Sequence, residues 1–179
     1  MYKQNTTVMK RLLTTAILLF TTVTLFAAKP LKVTKGSLDV LRQDATATWT
    51  IDLSQATFEE KQSFETWSEG DYQTRVQSIN DTFFESFNKY SKGLKLVNDE
   101  SAPYKLTFKV SNFDRKQGPG MWGSMFVRVF GVIEIEDCAT GETVCEIEVN
   151  GVKGDTDFVE NDRFPKTIDW LCRDLFKMK

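Results

Sequence analysis

The chain contains no histidine, and this absence limits the chemistry that its other polar residues can support. Serine and cysteine nucleophiles are usually activated by a histidine base, so the composition disfavours both of these catalytic classes. The three cysteines, Cys138, Cys145 and Cys172, also lack the histidines that accompany cysteine in many zinc sites. We therefore expect no catalytic residue, no metal site and no cofactor.

Residues 118–123 spell the pattern G-x-G-x-x-G, which in dinucleotide-binding proteins opens a helix at the phosphates. A strand pattern follows here instead of a helix, which favours a plain loop over a nucleotide site. The loop and the outward side of the next strand together would form an apolar patch of Met121, Trp122, Phe126, Phe130 and Val132. Exposed patches of this kind mark contact surfaces, and we predict binding here. The alternative is that a helix or the segment 31–41 covers these side chains.

Carboxylates are concentrated in two places. The first is an acidic stretch with Asp155, Asp157, Glu160 and Asp162, whose oxygens could hold Ca²⁺. The spacing of an EF-hand is absent, however, and Asp162 suits a helix N-cap, so a solvated loop is favoured. The second group is Glu134, Glu136, Glu146 and Glu148. These glutamates repel across a predicted hairpin, Glu134 opposite Glu146, and Lys105 and Lys109 on a neighbouring strand would neutralise them.

The N-terminal residues 1–28 have the features of a secretory signal peptide. Lys3, Lys10 and Arg11 precede a short apolar run that ends in Ala27 and Ala28, and Met9 is an alternative start. An uncleaved membrane anchor is the alternative, but the run is short and rich in threonine. No cysteine follows it, which predicts that the protein has no lipid anchor. We expect a periplasmic or secreted protein.

Removal of residues 1–28 leaves 20 basic and 25 acidic residues and a net charge of −5. This balance disfavours nucleic acid as a partner, because phosphate binding requires a concentrated basic surface. In an oxidising compartment, three cysteines leave at least one thiol free. Cys145 and Cys172 both fall on predicted core faces, where they either meet in a disulfide or remain two buried thiols.

Residues 126–149 predict a β-hairpin. Val127, Val129, Ile133 and Ile135 alternate with polar residues, as in a half-buried strand, and the pattern returns through Ile147 and Val149. Gly141 suits the left-handed position of a three-residue loop. The resulting register pairs Cys138 with Glu142, Ile135 with Cys145 and Ile133 with Ile147, and it places every glutamate on the outward face.

The remaining elements follow from similar periodicities. Strands are predicted at 45–53 and from Tyr104 to about Phe113, and helices at 58–67, 72–90 and 163–177. The segment 31–41 is predicted to be irregular, with a short strand. This order predicts one α+β domain over residues 29–179. Its architecture would be a two-layer sandwich of about four strands, mostly antiparallel, with the helices on one face.

The hairpin, with Gly131 in its first strand and Asp137 followed by Thr140, Gly141 and Glu142 at its turn, resembles small exported bacterial envelope proteins. The fold of such proteins is similar to that of the penicillin-binding-protein activator lipoproteins, the curli-secretion lipoproteins and the N-terminal domain of TolB. The signal peptide and the aromatic helix ending near Phe87 and Asn88 also resemble exported Bacteroidetes proteins of unknown function. The resemblance implies a non-catalytic protein that acts through protein partners.

These observations predict a non-catalytic, exported protein-binding module of the bacterial cell envelope. The alternative function is a small-ligand-binding or hydrolytic domain that uses a cleft lined by carboxylates such as Glu134, Glu148 or Asp155. Association of the same aromatic residues with a membrane surface is a third possibility.

Overall fold

A long twisted sheet dominates the computed structural model, which describes residues 29–117, 125–155 and 160–179. Within these residues the strands are β1 Leu31–Gly36, β2 Thr46–Asp52, β3 Thr57–Phe58, β4 Gln62–Ser63, β5 Lys95–Leu96, β6 Tyr104–Gln117, β7 Met125–Asp137 and β8 Glu142–Lys153. The helices are α1 Asp39–Arg42, α2 Phe64–Ser68, α3 Tyr72–Tyr90 and α4 Glu160–Leu175, with a 3₁₀ turn at Glu69–Asp71. The predicted signal peptide, residues 1–28, lies outside the described residues.

The described strands form one mixed sheet in the order β1-β8-β7-β6-β2-β5, and the two-residue strands β3 and β4 extend it from β6. β6, β7 and β8 form an antiparallel meander, whereas β2 runs parallel to both β5 and β6. The fold is α+β, but the predicted sandwich of about four mostly antiparallel strands is wrong, because the described residues form a sheet of eight strands. Two-residue strands are too short to show a periodicity in the sequence. Parallel strands that are separated along the chain by a helix also leave no local pattern that reveals their pairing.

The central hairpin forms largely as its alternation predicts. Two predicted pairs are confirmed, Ile135 with Cys145 and Ile133 with Ile147. The odd-numbered apolar residues of β7 are almost fully buried against the helices, whereas the even-numbered residues are partly exposed. This alternation divides the sheet into a core face and an outward face.

The turn of this hairpin differs from its predicted register by one residue. Gly141 has a φ of +69°, and its N–H donates to the carbonyl of Asp137 at 2.8 Å, which confirms the left-handed glycine. However, Glu142 pairs with Asp137 and not with Cys138. A bulge at Val144 absorbs the difference, so the core register remains intact.

The long helix α3 confirms the predicted stripe over 72–90, with Ile79, Phe83 and Phe87 fully buried. The predicted helix over 58–67 is wrong, because Phe58 lies in β3 and only Phe64–Ser68 is helical. Ser63 caps that short helix, since its side chain accepts from the Thr66 N–H at 3.0 Å.

Two adjacent glutamates explain the shortened helix. Glu59 and Glu60 have φ values of +54° and +57°, a left-handed conformation that ends a strand and excludes a helix. The side chain of Asn112 supports the turn, accepting from the Glu60 N–H at 3.2 Å and the Thr57 hydroxyl at 2.9 Å. Because Asn112 lies far away in the sequence, local patterns do not reveal this contact.

The C-terminal helix α4 begins at Glu160, three residues before the predicted start. Asp162 therefore lies inside the helix and is not its N-cap, and Pro165 falls in the second turn. Ile168, Leu171 and Cys172 of this helix are fully buried. Within the described part of the chain, no helix is both long and apolar enough to cross a membrane.

Candidate functional site

The outward face of β7 carries the part of the predicted patch that the structure describes. Phe126, Phe130 and Val132 lie on this face and are partly exposed. Met121 and Trp122 lie outside the described residues. The segment 31–41 does not cover the patch: β1 extends the sheet by pairing with β8, from Leu31 opposite Val149 to Gly36 opposite Cys145.

Two bulges and one glycine lie side by side in neighbouring strands and form a row that shapes this face. Ser111 is an extra residue in β6, Gly151 is an extra residue in β8, and Gly131 of β7 lies between them. Bulges bend a strand and increase its twist, so this row curves the sheet. Gly131 permits a close approach of β6, because a Cβ atom there would lie 2.2 Å from the carbonyl oxygen of Lys109.

A groove of about 510 Å³ lies on the outward face at this row. Its floor includes the backbone of Gly131, and Phe130 and Val132 provide apolar walls. The rim is polar and consists of Asp52, Gln55, Lys109, Ser111, Glu134, Glu148 and Asn150. A concave apolar surface with a few polar groups around it is the usual form of a binding site.

The charges at the rim are unequally compensated. Lys109 donates to both carboxylate oxygens of Glu134, at 2.7 and 2.8 Å, and these hydrogen bonds raise the pKa of Lys109. Hydrogen bonds from Ser54 lower the pKa of Asp52, so this carboxylate is ionised at neutral pH. Glu148 has neither an ion pair nor a hydrogen bond with any described residue. Three carboxylates thus face one lysine, which is already engaged.

The predicted repulsion between Glu134 and Glu146 is present, because these residues pair directly across the hairpin. Lys109 neutralises Glu134, as predicted, and Lys105 lies opposite Glu136 in the ladder. Glu146 instead accepts a hydrogen bond from the hydroxyl of Thr34. No local sequence pattern indicates this last contact, because it depends on the pairing of β1 with β8.

Cations lie over both aromatic rings of the outward face. The Arg128 guanidinium is 5.3 Å from the Phe130 ring centroid, and the Lys153 ammonium is 5.6 Å from that of Phe126. Arg128 also forms an ion pair with Asp114. Burial opposes ionisation of Asp114, but hydrogen bonds from Arg128 and Lys116 outweigh it and lower the pKa of this carboxyl. These contacts hold Phe130 at the wall of the groove.

The three cysteines are free thiols. Cys138 is exposed at the hairpin turn, whereas Cys145 and Cys172 are buried in the core. Burial, with a smaller effect from Glu146, raises the pKa of Cys145 to about 11, and burial also raises the pKa of Cys172. Both buried cysteines are therefore protonated and unreactive at neutral pH.

The described residues contain no cluster of three or more metal-ligating side chains. Of the predicted acidic group, Asp155 is exposed, and the side chains at positions 157, 160 and 162 lie outside the described set. The groove brings together Glu134 and Glu148 from the predicted carboxylates but not Asp155. Asp52, Gln55 and Asn150 complete the rim, and no motif in the sequence distinguishes them.

No protein-family model and no curated protein matches the chain. Among solved structures, PelC from Paraburkholderia phytofirmans, described as a dodecamer, is 16% identical, with a TM-score of 0.44 over 83% of this chain and 98% of that one. A point variant of PelC from the same organism gives a TM-score of 0.45, also at 16% identity, over 81% and 95% of the respective chains. A minor lipoprotein from Acinetobacter baumannii is 13% identical, with a TM-score of 0.37 over 75% and 91%. These structures belong to bacterial proteins, but not to the families that the hairpin resembles. We infer neither function nor assembly from similarity at this level.

Proposed function

We propose that this protein is a non-catalytic binding module of the bacterial cell envelope, exported by residues 1–28, and that it binds another envelope protein through the outward face of β7. One observation carries the proposal. Phe126, Phe130 and Val132 share a partly exposed face, while α3 and α4 pack against the opposite face of the sheet. Aromatic residues at the edge of a concave, polar-rimmed surface are typical anchors of protein interfaces.

Photo-crosslinking in cells tests this proposal. Phe130 is replaced by p-benzoylphenylalanine with residues 1–28 retained, and the adducts are identified by mass spectrometry. Gln77 is the matched control position, because it is exposed on α3, away from the outward face. We expect one dominant envelope-protein adduct from position 130 and none from position 77. Equal adducts from both positions, or crosslinks only within the chain, would contradict the proposal.

A substitution at Trp122 provides an independent measurement. If Trp122 belongs to the same contact surface, Trp122→Ala should leave the folding transition unchanged and reduce the amount of adduct formed from position 130. Thermal unfolding of the purified variant is the control for folding. An unchanged yield of adduct would remove this residue from the proposed interface.

Binding of a small ligand in the groove is the second candidate, because Glu134 and Glu148 both line one concave surface. Charged groups that converge on an apolar groove also suit small molecules. Melting temperatures measured with added amino acids and amino sugars test this function. It requires a rise in melting temperature that Glu148→Gln abolishes; no rise with any of these compounds would contradict it.

A further inference from the structure

The groove combines three kinds of surface that a ligand can contact. Its floor and walls are apolar, three of the four charged side chains on its rim are acidic, and the rim also carries two amides. The side chains of these amides, Gln55 and Asn150, form no hydrogen bond with any described residue. Each of them offers one acceptor and two donors, so each can pair with the N–H and C=O of an extended peptide backbone.

The pairing of the strands orders these groups across the sheet. Asp52 of β2 pairs with Lys109 of β6, Lys109 pairs with Val132 of β7, and Val132 pairs with Glu148 of β8. Adjacent strands are about 4.8 Å apart, so Asp52 and Glu148 lie on opposite sides of the groove, about 14 Å from one another. That span matches about four residues of extended chain.

Electrostatics distinguishes the two sides of the groove. Hydrogen bonds from Ser54 and, to a smaller extent, the charge of Lys109 lower the pKa of Asp52, so the Asp52 side is partly compensated. Lys32 stands opposite Glu148 in the ladder but forms no ion pair with it. Val132 separates Glu148 from Lys109. The Glu148 side of the groove is therefore the side that favours an added positive charge.

We infer that the groove receives an extended segment of the partner protein that carries a lysine, with the lysine ammonium at Glu148 and its methylene stem along Val132. This inference rests on the proposed function of the outward face. The amides of Gln55 and Asn150 bind the backbone of the segment, and a small apolar residue packs over Gly131 beside Phe130. Lysine suits this position because its stem covers apolar surface while its charge reaches the rim.

A peptide titration tests the inference with the purified protein. The probes are two capped tetrapeptides, acetyl-alanyl-lysyl-valyl-alanine amide and the same peptide with norleucine in place of lysine. Binding is followed by the backbone amide NMR signals of Gly131 and Asn150. We expect saturable shifts with both peptides and a Kd about two- to fivefold lower for the lysine peptide, as for a solvent-accessible ion pair.

Two charge variants test whether Glu148 is the carboxylate that binds the lysine. Glu148→Gln should bind both peptides equally, because the preference for lysine arises from this side chain. Glu142→Gln is the matched control: it makes the same change in net charge at an exposed turn residue outside the groove, and it should retain the preference. Equal Kd values for the two peptides with the wild-type protein would overturn the inference, as would a preference that Glu148→Gln retains.

The outcome of the peptide titration can be distinguished from the outcome of the crosslinking experiment. A protein adduct from position 130 combined with no preference for lysine would leave the proposed function intact and overturn the inference about the segment. Failure of both experiments would refute both proposals. Absence of any saturable shift at Gly131 or Asn150 would also overturn the inference.

Discussion

The close contact between β6 and β7 at Gly131 makes a quantitative prediction about the groove. In Gly131→Ala, the added Cβ would lie 2.2 Å from the Lys109 carbonyl oxygen and 3.0 Å from the Val110 Cα. Ordinary van der Waals contacts begin near 3.4 Å, so the two strands must separate by about 1 Å. Both obstructing atoms belong to the backbone of a central strand and cannot move by changing a rotamer. Overpacking of this kind costs about 3 kcal/mol in the free energy of unfolding.

Urea denaturation followed by tryptophan fluorescence measures this cost. With an m-value of about 2 kcal/mol/M, we expect the midpoint of Gly131→Ala to fall by roughly 1.5 M. Gly70→Ala is the matched control, because nothing lies within 4 Å of its added Cβ and its φ is not positive. The control should remain within about 0.5 kcal/mol of the wild type.

The comparison can refute the geometry of the groove. If Gly131→Ala unfolds at the same midpoint as Gly70→Ala, then β6 and β7 are not in close contact at this position. The row formed by Ser111, Gly131 and Gly151 would then not curve the sheet as described. The groove, its floor at Gly131 and the peptide segment inferred to occupy it would lose their structural basis.

Two further predictions concern the residues around this surface. Glu60→Gly should raise the free energy of unfolding by about 0.5–1 kcal/mol, because glycine adopts a φ of +57° without strain. Urea denaturation measures this change, and a loss of stability would contradict the left-handed turn. Asp114→Asn should cost about 1–2 kcal/mol at pH 7, because it removes the partner of Arg128. The folded-state pKa of Asp114 is lowered, so its contribution is present above about pH 4 and is lost on acidification. Denaturation at pH 7 and pH 3 should therefore show a smaller fall in stability for Asp114→Asn than for the wild type, and equal falls would contradict this assignment.

The candidate site was only partly predictable from sequence. The alternation along β7 places Phe130 and Val132 on the outward face beside Glu134, and the structure agrees. The hairpin register also brings Glu148 opposite Val132. Asp52 and Gln55 could not be predicted, because they reach the rim through the parallel pairing of β2 with β6, whose strands are joined through α3.

Local sequence patterns thus specify the buried face of α3, the odd-numbered core face of β7 and the left-handed turn at Gly141. These features depend on residues a few positions apart, which share a helix face or a strand face wherever the chain goes. No local pattern indicates that β1 joins β8, that β2 joins β6, or that the bulges at Ser111 and Gly151 flank Gly131. Such contacts join distant segments, and their energy arises from packing and hydrogen bonding between strands that carry no shared local pattern. The groove exists only where these long-range pairings meet.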